Sequence, residues 1–321
     1  MKKSLGVALL MLSLTASAQF DIGTDTPKKE WEDVLTQFKG TTTIFFLRSG
    51  DARNAAEWET ALKKAWTLTP LEVHPLNDFG KYTENMKALS GYSFITITPV
   101  QLWVNGFVTQ EPRMEIWLPW AKSIYRDNVE QFKRTLGYSL LDISIRTANW
   151  DKAGHFGKME TEGEILPYLY SDAEIRNWTP QLVASSLKLM SIMLSNGERK
   201  LFFNNIWEEA DYRAARTDSL FVRADMMETW DIEKEAWWFI VTKDKNLALT
   251  CPKDVRVLSA EELERKLASN ERFQFVTAIR SGRSQIIMVQ NSWDSEVIYL
   301  DKDYHLQSEK MWKRLCTREK L

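Results

Sequence analysis

The sequence predicts an α/β protein of the α+β kind, with two similar strand–helix–strand–helix–meander units around a central helical segment. Three observations carry that expectation. β-Branched and aromatic runs alternate with stretches of helical periodicity toward both ends of the chain. The stretch from Thr69 to Ile97, TPLEVHPLNDFGKYTENMKALSGYSFITI, returns in outline from Cys251 to Ile279 as CPKDVRVLSAEELERKLASNERFQFVTAI. Between them lies NWTPQLVASSLKLMSIML, whose apolar residues cover most of a helix's circumference, as in a helix enclosed on several sides.

The first residues read as an export signal. Lys2 and Lys3 precede the apolar run Leu5–Leu14, and Ala16-Ser17-Ala18 is an A-x-A cleavage pattern, so the mature chain is expected to begin at Gln19. No cysteine follows that site to carry a lipid, and no later segment approaches about 18 uninterrupted apolar residues, so no transmembrane segment is expected after cleavage. The expected organisation is a signal peptide over 1–18, a first α/β unit over 19–150, a helical connecting segment over 151–216 and a second α/β unit over 217–321. Each unit is long enough to bury a core of its own. The 42 basic and 44 acidic residues are well mixed, and without a clustered basic surface no nucleic-acid partner is expected.

In chain order, Trp31, Val34, Leu35 and Phe38 share one helical face. TTTIFFL, from Thr41 to Leu47, reads as a buried strand stopped by RSGD. The next helix carries Trp58, Ala61, Leu62, Ala65 and Trp66 on one stripe, and LEVHPL after Pro70 is a second strand. A short helix with Phe79, Tyr82, Met86 and Leu89 on one side closes at Gly91, and YSFITI begins a third strand. RMEIWLPW and YSLLDISI continue as strands. After a glycine-containing linker around Asn149–Glu164, Thr179 and Pro180 mark the N-cap and first position of the central helix.

In the second half SLFV and WWFIVT are both strand-like, and nothing matches the Trp58 helix. DVRVL, the helix opened by the Ser259–Glu262 capping box, RFQFVTAI, SQIIMVQ and SEVIYLD follow. An offset of 182 brings Pro70, Val73 and Leu76 onto Pro252, Val255 and Leu258; an offset of 181 brings Tyr92, Phe94 and Thr96 onto Phe273, Phe275 and Thr277. The chain is expected to be an internal duplication.

Motifs that carry chemistry are sparse. There is no G-x-S-x-G, and Cys251 has no histidine near it in sequence. RSGDARN has one glycine and no following Lys-Ser/Thr, so it reads as an ordinary strand-to-helix turn capped by Asp51 or Asn54. Glu208, Glu209 and Asp211 share a helix with Arg213 and Arg216, an ion-paired face; Glu160, Glu162 and Glu164 read as an acidic loop. His74, His155 and His305 are isolated from one another. No catalytic, cofactor-binding or metal-ligating set is therefore expected. In an oxidising compartment Cys251 and Cys316 form one disulfide or stay as two buried thiols, and both readings stand. Of 14 tryptophans, Trp103, Trp120, Trp150 and Trp293 sit beside turns or prolines, where they are candidates for contact with a partner or a sugar.

The Gln after the A-x-A site, AWTLTPLEV and ILPYLYSDAEIRNWTPQLV together resemble a group of secreted proteins of Bacteroidetes-type bacteria, over most of the mature chain. The resemblance implies export and assigns no residue a role. The order of elements is also similar to the α/β domain of envelope proteins such as the N-terminal domain of TolB and the curli secretion lipoprotein, an analogy of architecture. The expected function is that of an exported, non-catalytic cell-envelope protein, periplasmic or surface-associated, that binds protein partners. The alternatives are a hydrolase with its site between the two units and a carbohydrate-binding protein.

Overall fold

The computed structural model describes residues 26, 28–83, 91–104, 107–119, 137–144, 146–147, 169–170, 175–176, 178–199, 219–224, 228–231, 236–239, 255–269, 271–281 and 284–303. Its helices and two five-stranded sheets make it an α+β protein.

Helix α1 (Trp31–Lys39) turns Trp31, Val34, Leu35 and Phe38 inward, the expected stripe. Strand β1 (Thr42–Leu47) follows; its last five residues are all buried, as suits a central strand covered on both faces. Helix α2 (Ala55–Ala65) lies over one face, where Trp58 stacks on Phe45 with ring centroids 6.1 Å apart. The other face carries Phe46, packed edge-on against Phe79 and Tyr82 of the short helix α3 (Phe79–Thr83). Strands β2 (Leu71–Pro75) and β3 (Tyr92–Val104) flank β1 in parallel; β4 (Phe107–Pro119) and β5 (Gly137–Ser144) follow antiparallel, giving the order β2-β1-β3-β4-β5. A short bridge pairs β6 (Arg146–Thr147) with β7 (Ile175–Arg176), a pairing the sequence did not announce.

The second sheet repeats this plan. Strands β8 (Leu220–Arg223), β11 (Val255–Leu258), β12 (Gln274–Ser281), β13 (Ser284–Asn291) and β14 (Val297–Asp303) take the order β11-β8-β12-β13-β14, with the same parallel and antiparallel senses. The likeness reaches single residues. Phe94 faces Trp117 in the first sheet and Phe275 faces Gln290 in the second. The register then slips at Ile116/Trp117 against β5 and at Val289/Gln290 against β14, the same place in both. Leu140 and Ile298 are the extra residues of the two bulges, and both are buried. Beside each bulge a threonine of the third strand bonds the residue just past the slip. Trp117 Nε1 donates to Thr96 Oγ1 at 3.1 Å, and Thr277 Oγ1 donates to Gln290 Oε1 at 3.1 Å.

The registers correct one half of the sequence alignment. Thr43 lies between Leu71 and Ser93, and Leu220 lies between Val255 and Gln274. With Ser93 matched to Gln274, the place of Val255 is that of Leu71, not Val73. The error is two residues, and a shift of two keeps every side chain on its face, so apolar alternation cannot detect it. The units also differ. Among the described residues no helix joins β8 to β11; that stretch holds a separate hairpin, β9 (Glu228–Asp231) with β10 (Ala236–Phe239).

The central helix α4 (Pro180–Ser195) packs on α2 of the first unit and on α5 (Ala260–Ala268) of the second. Leu187, Met190, Met193 and Leu194 join the core of the first unit, which also takes in Met288, Val297 and Leu300 of the second sheet; Leu182 joins a second core with Phe221, Leu263, Leu267, Phe273 and Phe275. The helix meets different faces of the two units. Trp178, just before it, stacks on Phe45, whereas Leu182 meets the Phe275 face, whose counterpart in the first unit is the Phe94 face, opposite Phe45. The two units are thus stacked head to tail rather than around a twofold axis.

Candidate functional site

Asp51, Trp178 and Glu264 converge on the first turn of α4. The indole Nε1 of Trp178 donates to Asp51 Oδ2 at 2.7 Å, while its ring lies 6.2 Å from Phe45 and 5.6 Å from Trp58. From the second unit, Glu264 of α5 accepts from the Gln181 amide at 2.7 Å and from the Thr179 hydroxyl at 2.5 Å. Thr179 therefore occupies the N-cap position without capping through its own side chain; the carboxylate of another helix satisfies the orphan amide. The far end of α4 is fixed too. Gly197, at φ 71°, closes the helix with bonds from its own amide to the Leu194 carbonyl and from the Glu198 amide to the Met193 carbonyl. The Gly197 carbonyl accepts from Trp31 Nε1 at 2.8 Å.

Burial sets the electrostatics. It pushes the Asp51 carboxyl above the ordinary range, against the Trp178 bond and the Arg48 charge. Glu264 is raised for the same first reason, with Thr179, Gln181 and Arg223 opposing and Glu57 adding to the rise. Tyr170, fully buried, is raised as well; its hydroxyl accepts from the Ile97 amide at 2.8 Å. Arg48 Nε donates to the Leu169 carbonyl at 2.8 Å, and the Ser49 amide donates to the Tyr170 carbonyl at 2.9 Å. The turn at RSGDARN is a 3-10 turn running straight into α2, and neither it nor α2 has a side-chain cap. The expected capping by Asp51 or Asn54 is thus corrected: Asp51 is drawn to Trp178 instead.

Elsewhere, His74 Nε2 lies 3.0 Å from Glu72 Oε2 and His74 Nδ1 lies 3.6 Å from Asp78 Oδ2, on the outer edge of β2. The Glu72 and Asp78 carboxylates and Pro75 guard that edge against pairing. The equivalent edge strand in the second unit, β11, carries Val257 at 51% exposure, and no described strand lies outside it. Among the described residues no group of three or more His, Cys, Asp or Glu is placed to hold a metal ion, and no helix is long and apolar enough to cross a membrane.

Cys251, Cys316, Trp120 and Trp150 lie outside the described residues, as do His155, His305, the Glu160–Glu164 run and the Glu208–Arg216 face. Trp103 stands on β3 opposite Val108 of β4, one step from the Val104–Phe107 pair that ends the ladder. Trp293 is at the tip of the β13–β14 turn, 36% exposed. The structure does not bring these two residues into one described site. The site residues that sequence reasoning missed are Asp51, Trp178 and Glu264; the ILPYLYSDAEIRNWTPQLV stretch contains Trp178, yet nothing local marks its partners.

The β3–β4 hairpin is a further departure between the two units among the described residues. Its strands run 13 residues each, against 8 each for β12 and β13. β1 pairs with β3 only as far as Ile95, and β5 reaches β4 only as far as Arg113, so the remainder is a two-stranded ribbon among the described residues. Pro99 and Pro112 face each other in that ribbon, where no third strand needs the missing amide hydrogens. Its end reads VQLWVNGFVTQ, mostly apolar. In comparisons with known protein families, with curated proteins and with solved structures, the chain matches none.

Proposed function

We propose that this chain is an exported protein of the cell envelope, periplasmic or surface-associated, that binds protein partners and has no catalytic role. The observation that carries the reading is the extended β3–β4 hairpin. Two strands alone are marginal in water, and this pair, unaccompanied among the described residues, ends in Leu102, Trp103, Val104, Phe107 and Val108, a composition suited to burial against another surface. The exposed edge strand β11 supports the same reading through strand addition. Export rests on the N-terminal signal pattern, and N-terminal sequencing of the mature protein is expected to start at Gln19.

The test is in-cell photo-crosslinking from position 103, with an exposed helical position such as Glu32 as control. A reproducible partner captured from position 103 and not from position 32 is expected; recovery of the chain alone from both would refute the reading. A hydrolase is the second reading, because Asp51 and Glu264 both have raised pKa values at the junction of the units. Both carboxylates, however, are already engaged in holding α4.

A further inference from the structure

We propose, independently of the partner-binding reading, that Tyr170 is a built-in occupant of the crevice at the carboxyl ends of β1 and β3. The chain thereby closes with its own side chain the place where a sheet of this strand order takes a ligand. Open α/β sheets bind ligands outside the carboxyl ends of their parallel strands, where the strand order reverses. In the first unit that point lies between β1 and β3. The chain leaves β1 through α2 on the Phe45 face to reach β2, then crosses back through α3 on the Phe46 face to β3. β1 and β3 pair from Thr42–Tyr92 to Phe45–Ile95 and then part, so that Leu47 and Ile97, two steps further on, no longer pair with each other.

Leu169 and Tyr170 fill the gap, although Tyr170 lies 73 residues beyond Ile97 in the chain. The Tyr170 hydroxyl accepts from the Ile97 amide at 2.8 Å, and the Tyr170 carbonyl accepts from the Ser49 amide at 2.9 Å. One residue therefore bridges the ends of both strands. The Leu169 carbonyl accepts from Arg48 Nε at 2.8 Å. Both residues are buried, Leu169 completely and Tyr170 to 3% exposure.

Two strand-end amides and an arginine are the kind of donors that orient a ligand in a largely apolar site. Here three oxygens of the chain itself take them. Without the hydroxyl, the amide of Ile97, a residue 1% exposed, would lose its acceptor. Burial raises the Tyr170 phenol above its ordinary value, so the occupant stays neutral at physiological pH. A neutral ring with one hydroxyl, a phenol, is the ligand chemistry this crevice is built to hold.

The test is cavity complementation in the purified mature chain. Tyr170→Gly removes the ring with its hydroxyl and is expected to melt below wild type. The free phenol p-cresol, which matches the tyrosine side chain, is expected to raise the melting temperature of this variant saturably and to leave wild type unmoved. Toluene, which offers the Ile97 amide no acceptor, is expected to act about tenfold more weakly. No saturable shift in the variant, an equal shift in wild type, or toluene matching p-cresol would each overturn the proposal. Tyr170→Phe keeps the ring and covers the case in which Tyr170→Gly does not fold. It is expected to speed hydrogen exchange of the Ile97 amide about tenfold, and an unchanged rate would overturn the proposal as well.

Discussion

Asp51 and Glu264 show how much a single carboxylate can depend on residues far away in sequence. Each is raised by burial, Asp51 above 3.8 and Glu264 above 4.5, so the folded chain holds these protons more tightly than the unfolded one. Their contribution to stability is complete below the unfolded values and is lost as pH rises through the folded ones. Asp78 and Glu262 are shifted the other way, Asp78 by Lys81 first and Glu262 by the Ser259 amide first. Their contribution is present above the ordinary values and fades below them, so the two pairs act in separate windows. Asp51→Asn with Glu264→Gln is therefore expected to flatten the rise in melting temperature as pH falls from neutral toward the ordinary carboxylate values. A profile parallel to wild type would show that the two groups do not titrate as described. The Ser259–Glu262 box was legible because its partners are three residues apart, and the structure forms both of its bonds, at 2.8 and 3.2 Å. The Glu264 contact was not, because its partners lie 83 and 85 residues away.

Elements were read well where one period dominates. The stripe of α1, the buried run of β1 and the capping box of α5 each identify their element by local pattern alone. Ser259→Ala removes the N-cap acceptor and is expected to lower stability by about 1 kcal/mol in a denaturant titration. Register was harder: the two-residue error at β2 and β11 leaves every face unchanged, and only the strand between them exposes it. The bulges were invisible as well, since Leu140 and Ile298 look like any strand residue; the pairing shows that each is an inserted position. For α4 the all-round apolar pattern did imply enclosure, and Leu187 is fully buried. Leu187→Asp places an unpaired charge there and is expected to cost about 4 kcal/mol or more, enough to abolish soluble expression. Ile192→Asp, on the exposed side, is the control and is expected to express normally.

For the whole molecule, the shared strand order, the matched bulges and the matched threonine bonds give the two sheets one design, and we infer a duplication behind them. The copies have diverged where binding is proposed. The first has the longer hairpin and carries Glu72, His74 and Pro75 on its edge strand, while the second leaves Val257 exposed and carries the Trp293 turn. Function was less legible than fold because these surfaces are defined by comparison between the copies and by contacts with α4, neither of which a motif records. The central claim is that α4 helps join the units into one cooperative body, through Leu187 in the core that both sheets share and Leu182 in the core of the second unit. Differential scanning calorimetry of the mature chain and of Leu187→Ala tests it most directly. One transition, with equal calorimetric and van't Hoff enthalpies, is expected, and the substitution should move it down as a whole by the equivalent of about 2–5 kcal/mol. Two separable transitions, only one of them moved by the substitution, would contradict the claim.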